Sequence, residues 1–578
     1  MRVLLLDSGD LQRVGPWSEQ RWDLIVNLGR SPLFASEKTP SDSRILHLDS
    51  YGQGLADARL VRDIVRAGRG VLLDHQGIDW WDLRSVAIVQ ESFTVVRLQR
   101  LVADIRGVTD LWCTRPTWST NVVADLLRVP IRSFRPGSWT RAVAFAGHYA
   151  EVLHRFSLAQ IKQIFFDKYD AGYCWRSRFA GVPNRCSDPV VLIPSAYANV
   201  SRMAAAYAAL LPHQPFLLVA TRQSARDFQP QKNVEIHDFA TYARVPSQDS
   251  ELSSLMERWT KLKSNFYACE GLRLLSAARV LDSFPAFFQS GLCVRDAWLQ
   301  VLERQPVCSV LCGDDSNVYS RLPVMLAGKR NIPTLDFHHG ALDGFYLFKN
   351  LTCDLYLAKS EMERDYLLRL CQLPEERVVI APPATVQNLP SGGSAREGRS
   401  IVLFSEPYEI AGMRAEDVYR QLLPRLWLLA SRYGRDLVIK LHPFESRSQR
   451  SQIARRVLPA EASRRLQWIE GPLTPDLFER AWFGITIEST TAIDSARNGV
   501  CCFLCRWLTL LPYGYADQYI RFGMGAALEN AEQIEEIPSR LDEFRNRQHT
   551  NYPQTTDTAL LQQWLTSGCR EAVRARTA

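Results

Sequence analysis

The sequence predicts an α/β protein with parallel sheets, divided into two or three domains. Short apolar segments alternate with helical segments along most of the chain, and strands that alternate with helices form parallel sheets. The chain has 578 residues, which is too long for one ordinary hydrophobic core. A hydrophobic content of 46% and a charged content of 23% are typical of a folded globular protein.

Residues 1–185 are predicted to form an N-terminal α/β unit followed by a helical connection. Four apolar segments, ending at Asp7, Gly29, Asp49 and Gly77, suggest successive strands. The first of them is too short for the apolar core of a secretory signal, and no uninterrupted apolar run is long enough to span a membrane. We therefore expect a cytoplasmic protein, with a peripheral contact at the inner face of the membrane as the further option.

Two more α/β units are predicted, at residues 186–390 and 400–578, the second ending in a C-terminal helix. The Gly-, Ser- and Arg-rich segment at residues 391–400 is the best linker in the chain. The earlier unit contains the apolar segments VVLIP, FLLVAT, PVCSVLCG, IPTLDF and CDLYLA. The later unit contains IVLFSEP, DLVIKLHP, FGITIE and VCCFL, with an amphipathic helix from Ala415 to Tyr433.

Charge and cysteine content limit the partners. The formal net charge is +7, and the Arg-rich segment at residues 447–456 with Arg464 and Arg465 suggests a solvated helix face, or else a surface for anionic lipid or an anionic acceptor. No concentrated basic block with interleaved aromatic residues occurs, so nucleic acid is not expected. The thirteen cysteines are expected to be free thiols, and their spacing predicts no metal site.

The strand FGITIE leads into the turn Glu488, Ser489, Thr490, Thr491, where Ser489 is predicted to cap a helix. Free backbone N–H groups and hydroxyls at such a point suit a phosphate group without a metal, although an ordinary helix cap has the same composition. Glu488 would then accept hydrogen bonds from ribose hydroxyls or a base.

A second polar turn follows the strand DLVIKL, where Pro443 holds His442 out of helical geometry. The imidazole can donate a hydrogen bond to a phosphate oxygen, and a purely structural turn is the alternative. Glu406, in the Ser-Glu-Pro turn after IVLF, is counted with the nucleotide-binding residues. Ligands of open α/β sheets bind beyond the carboxyl ends of the strands, where all these residues are expected.

The middle unit offers candidates for a general base. Asp314 and Asp315 follow one predicted strand, and His338 and His339 follow another. A carboxylate or imidazole there could deprotonate an acceptor hydroxyl across an interdomain cleft, whereas helix capping and a polar loop are the structural alternatives. A metal-binding role is disfavoured, because the two acids are adjacent and no third ligand is evident.

The segments KLHPFE, at residues 440–445, and FERAWFGITIESTTAIDSARNG resemble motifs of bacterial surface-polysaccharide transferases of the GT-B type. Similar motifs occur in bacterial sialyltransferases and polysialyltransferases, capsule Kdo transferases and CDP-glycerol glycerophosphotransferases. The resemblance covers residues 305–510 and implies two Rossmann-like domains that face a cleft, with an additional N-terminal α/β region. It also implies that His442, Ser489 and Thr490 contact the phosphate of a cytidine nucleotide.

The same resemblance implies roles in the middle unit. Asp314 and Asp315 look like the acidic motif ahead of the family's base, although Ser316 stands where a Gly is usual. DFHHG resembles a Trp-His-Gly segment with a catalytic histidine, which implies His339, with His338 in place of the Trp.

We therefore expect an inverting transfer of a sugar from a CMP- or CDP-linked donor to a growing surface polysaccharide or glycolipid. Neither a cofactor nor a metal is expected, and polysaccharide-assembly proteins are expected partners. The alternatives are a polyol-phosphate transferase of the teichoic acid type and a non-catalytic scaffold with the same fold. A UDP-sugar 2-epimerase is less favoured, since that class would need a fuller set of acids and an arginine clamp.

Overall fold

The structure is a computed structural model. It describes residues 1–6, 17–28, 43–48, 51, 55–114, 116–134, 183–221, 224, 230–243, 249–264, 266, 269–277, 280–313, 315–340, 350–383, 398–408, 415–442, 445–508, 516–546 and 556–566. The strands within these ranges form three parallel sheets, of five, seven and six strands.

The five-stranded sheet belongs to the N-terminal unit. Its strands are β1 (Arg2–Leu6), β2 (Leu24–Asn27), β3 (Arg44–His47), β4 (Asp110–Cys113) and β5 (Ile131–Ser133), in the order β3-β2-β1-β4-β5. The helices of this unit are α1 (Leu55–Ala67), α2 (Trp80–Leu83), α3 (Ser85–Ala103) and α4 (Trp118–Leu127).

The seven-stranded sheet forms the middle domain. Its strands are β6 (Val190–Ser195), β7 (Phe216–Ala220), β8 (Val234–Asp238), β9 (Val307–Cys312), β10 (Thr334–Phe337), β11 (Leu355–Ala358) and β12 (Val378–Ile380), in the order β12-β11-β10-β9-β6-β7-β8. Its helices are α5 (Ala198–Ala208), α6 (Asp249–Ser264), α7 (Glu270–Ala277), α8 (Phe284–Arg304), α9 (Val318–Lys329) and α10 (Glu361–Asp365), which continues as a π-helical turn over Tyr366–Leu370.

The six-stranded sheet forms the C-terminal domain. Its strands are β13 (Ser400–Phe404), β14 (Asp436–Lys440), β15 (Gln467–Ile469), β16 (Ala481–Thr486), β17 (Cys502–Cys505) and β18 (Ala526–Leu528), in the order β15-β14-β13-β16-β17-β18. Its helices are α11 (Ala415–Arg432), α12 (Arg447–Val457), α13 (Ala460–Arg465), α14 (Pro475–Arg480), α15 (Thr491–Arg497), α16 (Ala516–Arg521) and α17 (Ile537–Asn546). A last helix, α18 (Thr558–Thr566), follows.

All three sheets share one strand order. In each sheet, the second and third strands along the chain lie to one side of the first strand, and all later strands lie to its other side. This is the order of Rossmann-like domains. The point at which it reverses, the switch point, lies between β6 and β9 in the middle domain and between β13 and β16 in the C-terminal domain. The predicted fold class, GT-B type with two Rossmann-like domains and an additional N-terminal α/β region, is confirmed.

The central strands are buried along their whole length. Every residue of β6 and of β13 is buried, as is every residue of β16. Strands of parallel sheets are covered by helices on both faces, so they consist of nearly continuous apolar residues. This is why the apolar segments of the sequence locate these strands correctly.

The predicted strand that ends at Gly77 is wrong. Its residues form a turn in which Asp74 accepts hydrogen bonds from the Ile78 backbone N–H (2.8 Å) and from Trp80 Nε1–H (3.1 Å). Gly77 adopts a φ of +71°, in the left-handed region that favours glycine. The fourth strand of this sheet is β4, further along the chain.

Two buried arginines of the middle domain bind the N-terminal unit. Arg321 donates hydrogen bonds to Asp315 Oδ2 in its own domain (2.8 Å) and to Asp82 Oδ2 in α2 (2.9 Å). Arg295 in α8 donates to Asp74 Oδ2 at 2.9 Å. Because buried charges are stable only when paired, these contacts fix the N-terminal unit against the middle domain.

The helix α18 packs on the middle domain rather than on the domain that precedes it in the chain. Leu561, Trp564 and Leu565 are buried among strand residues of the middle sheet. Thr556, just before the helix, donates a hydrogen bond to Pro382 O at 2.6 Å. The predicted domain limits place this helix in the C-terminal domain, whereas its apolar face is buried by the middle sheet.

Two other predictions concern membrane-spanning helices and the state of the cysteines. Among the residues that the structure describes, no helix is both long and apolar enough to cross a membrane. The cysteines within the described ranges are free thiols, as predicted for them.

Candidate functional site

Glu406 occupies the switch point of the C-terminal sheet. It follows β13, and its Oε1 accepts hydrogen bonds from Thr486 Oγ1 (2.7 Å) and from the backbone N–H groups of Ile487 (2.9 Å) and Glu488 (3.1 Å). Burial raises the pKa of Glu406, and these hydrogen bonds act in the opposite direction. The carboxylate therefore holds the loop after β16 in place, in addition to any contact that it makes with a nucleotide.

A second carboxylate, Glu445, holds the loop after β14. Its Oε2 accepts a hydrogen bond from the His442 backbone N–H (2.8 Å), and its Oε1 accepts from Ser405 Oγ (2.8 Å) and from Arg450 Nε (2.6 Å). The Glu445 side chain is fully buried, and the Arg450 side chain is 5% exposed. The loops after β13 and β14 are thus joined by one buried ion pair, which fixes the backbone that carries the imidazole.

His442 is half-buried at the carboxyl end of β14. Burial lowers its pKa, and the nearby Lys440 ammonium lowers it further. Lys440 is itself anchored, since its Nζ donates to Leu441 O (2.8 Å) and Gly471 O (2.7 Å). At neutral pH the imidazole is therefore uncharged and able to donate one hydrogen bond to an oxygen of a ligand. Pro443 lies outside the described residues.

The loop after β16 carries the predicted hydroxyl residues. The helix α15 begins at Thr491 with Thr490 as its N-cap residue, so the predicted cap, Ser489, is one residue early. Thr490 makes no side-chain capping bond, and Ser489 Oγ accepts from the Thr491 N–H at 3.3 Å. Thr491 Oγ1 is buried without a hydrogen-bond partner in the described part of the chain. The Thr490 hydroxyl therefore takes no part in the helix cap, and the Ser489 hydroxyl takes part only as an acceptor.

Glu488 lies beside α16. Burial raises the pKa of Tyr519 well above its usual value, and the carboxylates of Glu488 and Glu406 act in the same direction. The two acids thus lie near one buried phenol, that of Tyr519 in α16. The structure brings together Glu406 and Glu488, two of the predicted nucleotide-binding residues, through a hydrogen bond from the Glu488 N–H to Glu406.

His339 lies at the switch point of the middle sheet. Its Nδ1 is 3.4 Å from Gly313 O, at the end of β9, and its ring is 6.2 Å from the ring of Tyr197, which follows β6. The Tyr197 hydroxyl accepts a hydrogen bond from Asn317 Nδ2 at 3.4 Å. A bond from Nδ1–H to the Gly313 carbonyl would leave Nε2 as the basic nitrogen of the imidazole. Sequence reasoning did not identify Tyr197 or Asn317, since both follow strands without a recognisable motif.

Asp315 does not join His339. Its side chain is fully buried and pairs with Arg321, so its carboxylate stabilises the contact with the N-terminal unit and does not face the cleft. The prediction that Asp315 acts as a base conflicts with this placement, because an ion-paired, solvent-excluded carboxylate cannot reach an acceptor hydroxyl. Asp314 lies outside the described residues and stays a prediction.

Lys359 holds the turn that carries His339, and its charge acts on Asp494 of the C-terminal domain. It follows β11, and its Nζ donates to His338 O (2.8 Å) and to Gly340 O (2.7 Å), which fixes the turn that holds His339. Burial raises the pKa of Asp494 in α15, whereas the charges of Arg497 and Lys359 lower it. The carboxyl ends of the two sheets therefore lie close enough for Lys359 to act on a side chain of the C-terminal domain.

A direct contact between the two domains lies next to this region. Asp365 at the end of α10 accepts hydrogen bonds from Gln518 Nε2 (3.2 Å) and Arg521 Nη1 (2.8 Å) in α16. Across the described ranges, His, Cys, Asp and Glu side chains form no group of three or more that could hold a metal ion.

The pKa of His442 gives a first prediction. In an NMR titration of the free protein, its ring is expected to titrate below the ordinary histidine value of about 6.5, because burial and Lys440 disfavour the charged form. A bound phosphate favours the charged form, so CMP is expected to raise this pKa. Comparison with His442→Asn assigns the resonance. A His442 pKa at or above the ordinary value in the free protein would contradict the structure, and no change with CMP would contradict the phosphate contact.

The lowered pKa of His442 also makes the free energy of unfolding depend on pH. The folded-state pKa of His442 is below the unfolded value, so its neutral form favours folding. This contribution is complete above the unfolded pKa and is lost as the pH falls through the folded pKa.

Comparisons with known proteins find structural likeness alone. No protein-family model matches the sequence, and a search of curated proteins gives no match. Methanocaldococcus jannaschii UDP-GlcNAc 2-epimerase in complex with UDP-GlcNAc and UDP aligns over 66% of this chain and 100% of its own, with 12% identity and a TM-score of 0.42. S. aureus MnaA with UDP aligns over 65% and 96%, with 12% identity and a TM-score of 0.41. A Rickettsia africae glycosyltransferase aligns over 68% and 94%, with 13% identity and a TM-score of 0.35. At these values the similarity identifies neither a family nor a reaction.

Proposed function

We propose that this protein is a glycosyltransferase that transfers a sugar from a nucleotide-activated donor to a surface polysaccharide or glycolipid. One observation carries the proposal. The candidate phosphate-binding residues lie around the switch point of the C-terminal sheet, and His339 lies at the switch point of the middle sheet. Switch points are where α/β sheets bind their ligands, and two of them on facing domains suit a donor and an acceptor.

On this proposal the C-terminal domain binds the donor. His442 and the hydroxyls of Ser489 and Thr490 would donate hydrogen bonds to the phosphate. These bonds would strengthen as negative charge develops on the leaving nucleotide, without a metal ion. The motif resemblance supports a cytidine nucleotide, CMP or CDP. Glu406 and Glu445 would position the loops that carry these groups.

The middle domain would supply the base. His339 would accept the proton of an acceptor hydroxyl at Nε2 while that oxygen attacks the anomeric carbon, and the bond to the nucleotide phosphate breaks on the opposite face. The configuration is then inverted. Asp314 is the other candidate for this role. Lys359 would keep the His339 turn in position through its two bonds to backbone carbonyl oxygens.

Nucleotide binding and sugar release test the proposal together. The full chain is mixed with CMP, CDP, UDP or GDP in a thermal-shift panel, with and without EDTA. Nucleotide release is then followed from CMP-sialic acid, CMP-Kdo, CDP-glycerol and UDP-GlcNAc. We expect the largest stabilisation from a cytidine nucleotide, unchanged by EDTA, and slow release of CMP from a CMP-sugar that His339→Ala abolishes.

Other outcomes select among the alternatives. Release of CMP from CDP-glycerol alone would favour a polyol-phosphate transferase, in which attack occurs at phosphorus. Inversion of UDP-GlcNAc at C2 would favour an epimerase over a transferase. No stabilisation by any nucleotide would contradict the phosphate site and favour a non-catalytic scaffold of polysaccharide assembly.

A further inference from the structure

The C-terminal domain has an exposed basic surface on the helices α11, α12 and α13. We define this basic surface by Leu428, Arg432, Arg455, Arg464 and Arg465, all of which are exposed. None of these residues has a part in the proposed reaction.

The helix α12 provides one edge of the basic surface. Its inner side is buried through Arg450 and Ala454, and Arg455 and Arg456 point to solvent. The helix contains no acidic residue, and Glu461 is the sole acid in α13. An amphipathic helix whose polar face carries arginines without acids is typical of binding to an anionic surface.

Ion pairs neutralise some neighbouring arginines but not those of the basic surface. Arg456 lies 3.4 Å from Glu416, and Arg425 pairs with Glu532 and Glu535. Within the described ranges, no carboxylate forms an ion pair with Arg432, Arg455, Arg464 or Arg465. Their positive charge is therefore available to a partner.

An exposed apolar side chain lies among these charges. Leu428 is 62% exposed, more than any other large apolar side chain of the described residues. Arg432 is one helical turn further along α11, on the same face. The Arg465 guanidinium of α13 covers the ring of Trp427, the residue before Leu428, at 5.3 Å.

We propose that the basic surface binds a membrane that contains anionic phospholipids. Arginines attract the headgroup phosphates, and Leu428 enters the boundary between headgroups and acyl chains. A soluble acidic polymer would use the arginines but would gain nothing from an exposed leucine. The combination of charge and apolar surface therefore favours the membrane.

The test uses the full chain and sedimentation with large unilamellar vesicles. One set contains phosphatidylcholine alone, and the other contains phosphatidylcholine and phosphatidylglycerol at about 3:1. We expect binding to the anionic vesicles that weakens with added salt, and none to the neutral ones. The triple variant Arg455→Gln, Arg464→Gln, Arg465→Gln is expected to bind at least about tenfold more weakly, since each arginine near a membrane surface contributes severalfold.

Two further variants test whether binding depends on the apolar side chain and on the position of the charges. Leu428→Ser is expected to weaken binding while its dependence on salt is retained. The matched control Arg66→Gln, Arg106→Gln, Arg185→Gln removes the same charge from exposed positions elsewhere and is expected to bind like the wild type.

Some outcomes would overturn the proposal. Equal binding by the triple variant and the matched control would mean that net charge alone acts. Loss of dextran sulfate binding in the triple variant, with Leu428→Ser unchanged on vesicles, would assign the surface to a soluble polyanion. Nucleotide stabilisation measured on the same variants keeps the two proposals separate, because the basic surface lies outside the proposed phosphate site.

Discussion

Replacing His442 with alanine is expected to remove most of the stabilisation that CMP gives the wild-type protein. A charge-assisted hydrogen bond to phosphate contributes about 1.5–3 kcal/mol, so the dissociation constant should rise about 10- to 100-fold. Isothermal titration calorimetry measures this constant directly, and a thermal shift gives an independent reading.

The matched control for this experiment is His213→Ala, at an exposed histidine that follows α5. It is expected to bind CMP as the wild type does. Equal affinity of the His442→Ala variant and the wild type would contradict the proposed phosphate contact. Glu445→Ala separates positioning from contact, because it leaves the imidazole present but removes the acceptor of the His442 N–H. A loss of CMP affinity in the Glu445→Ala variant would support the role of the buried Glu445–Arg450 ion pair in positioning His442.

Replacing Arg321 with methionine is expected to have the largest effect on stability. The substitution leaves the carboxylates of Asp82 and Asp315 buried and without their main cation, which costs about 3–5 kcal/mol. The melting temperature should fall by several degrees. Hydrogen exchange should increase in α2 and in the start of α9, where the N-terminal unit meets the middle domain.

Arg330→Met, directly after the same helix, is the matched control. Its side chain is 33% exposed and lies 3.4 Å from Glu303, so its loss should cost less than about 1 kcal/mol. The double variant Arg321→Met, Asp82→Asn is expected to recover part of the lost stability, since one of the unpaired charges is removed. Similar melting temperatures for Arg321→Met and Arg330→Met would contradict a structural role for this ion network.

Local sequence patterns predicted many of the strands correctly. The strands β6, β9, β13, β14 and β16 were predicted because a parallel strand, covered on both faces, is a continuous apolar run. Short strands with polar residues, such as β8 and β15, escaped prediction. The segment that ends at Gly77 was wrongly predicted as a strand, because it forms a turn in which Leu72 is buried outside the sheet.

The candidate site was predicted less completely. The positions of His442 and Ser489 after their strands followed from the sequence, because a polar residue directly after an apolar run marks a strand end. The role of Glu445 did not, although it lies in the same motif. Its partners, Ser405 and Arg450, are identified as partners by the hydrogen bonds of the folded chain.

The sequence by itself determined that this protein is built from Rossmann-like units and that polar residues follow their strands, because apolar periodicity and turn composition are local properties. The tertiary structure alone decided which of these residues are buried in ion pairs. In the sequence Asp315 and His339 are equal candidates, whereas in the folded chain Asp315 pairs with Arg321, which also binds Asp82. Asp82 and Arg321 lie far apart along the chain, and a pairing of that kind leaves no periodic signal in the sequence.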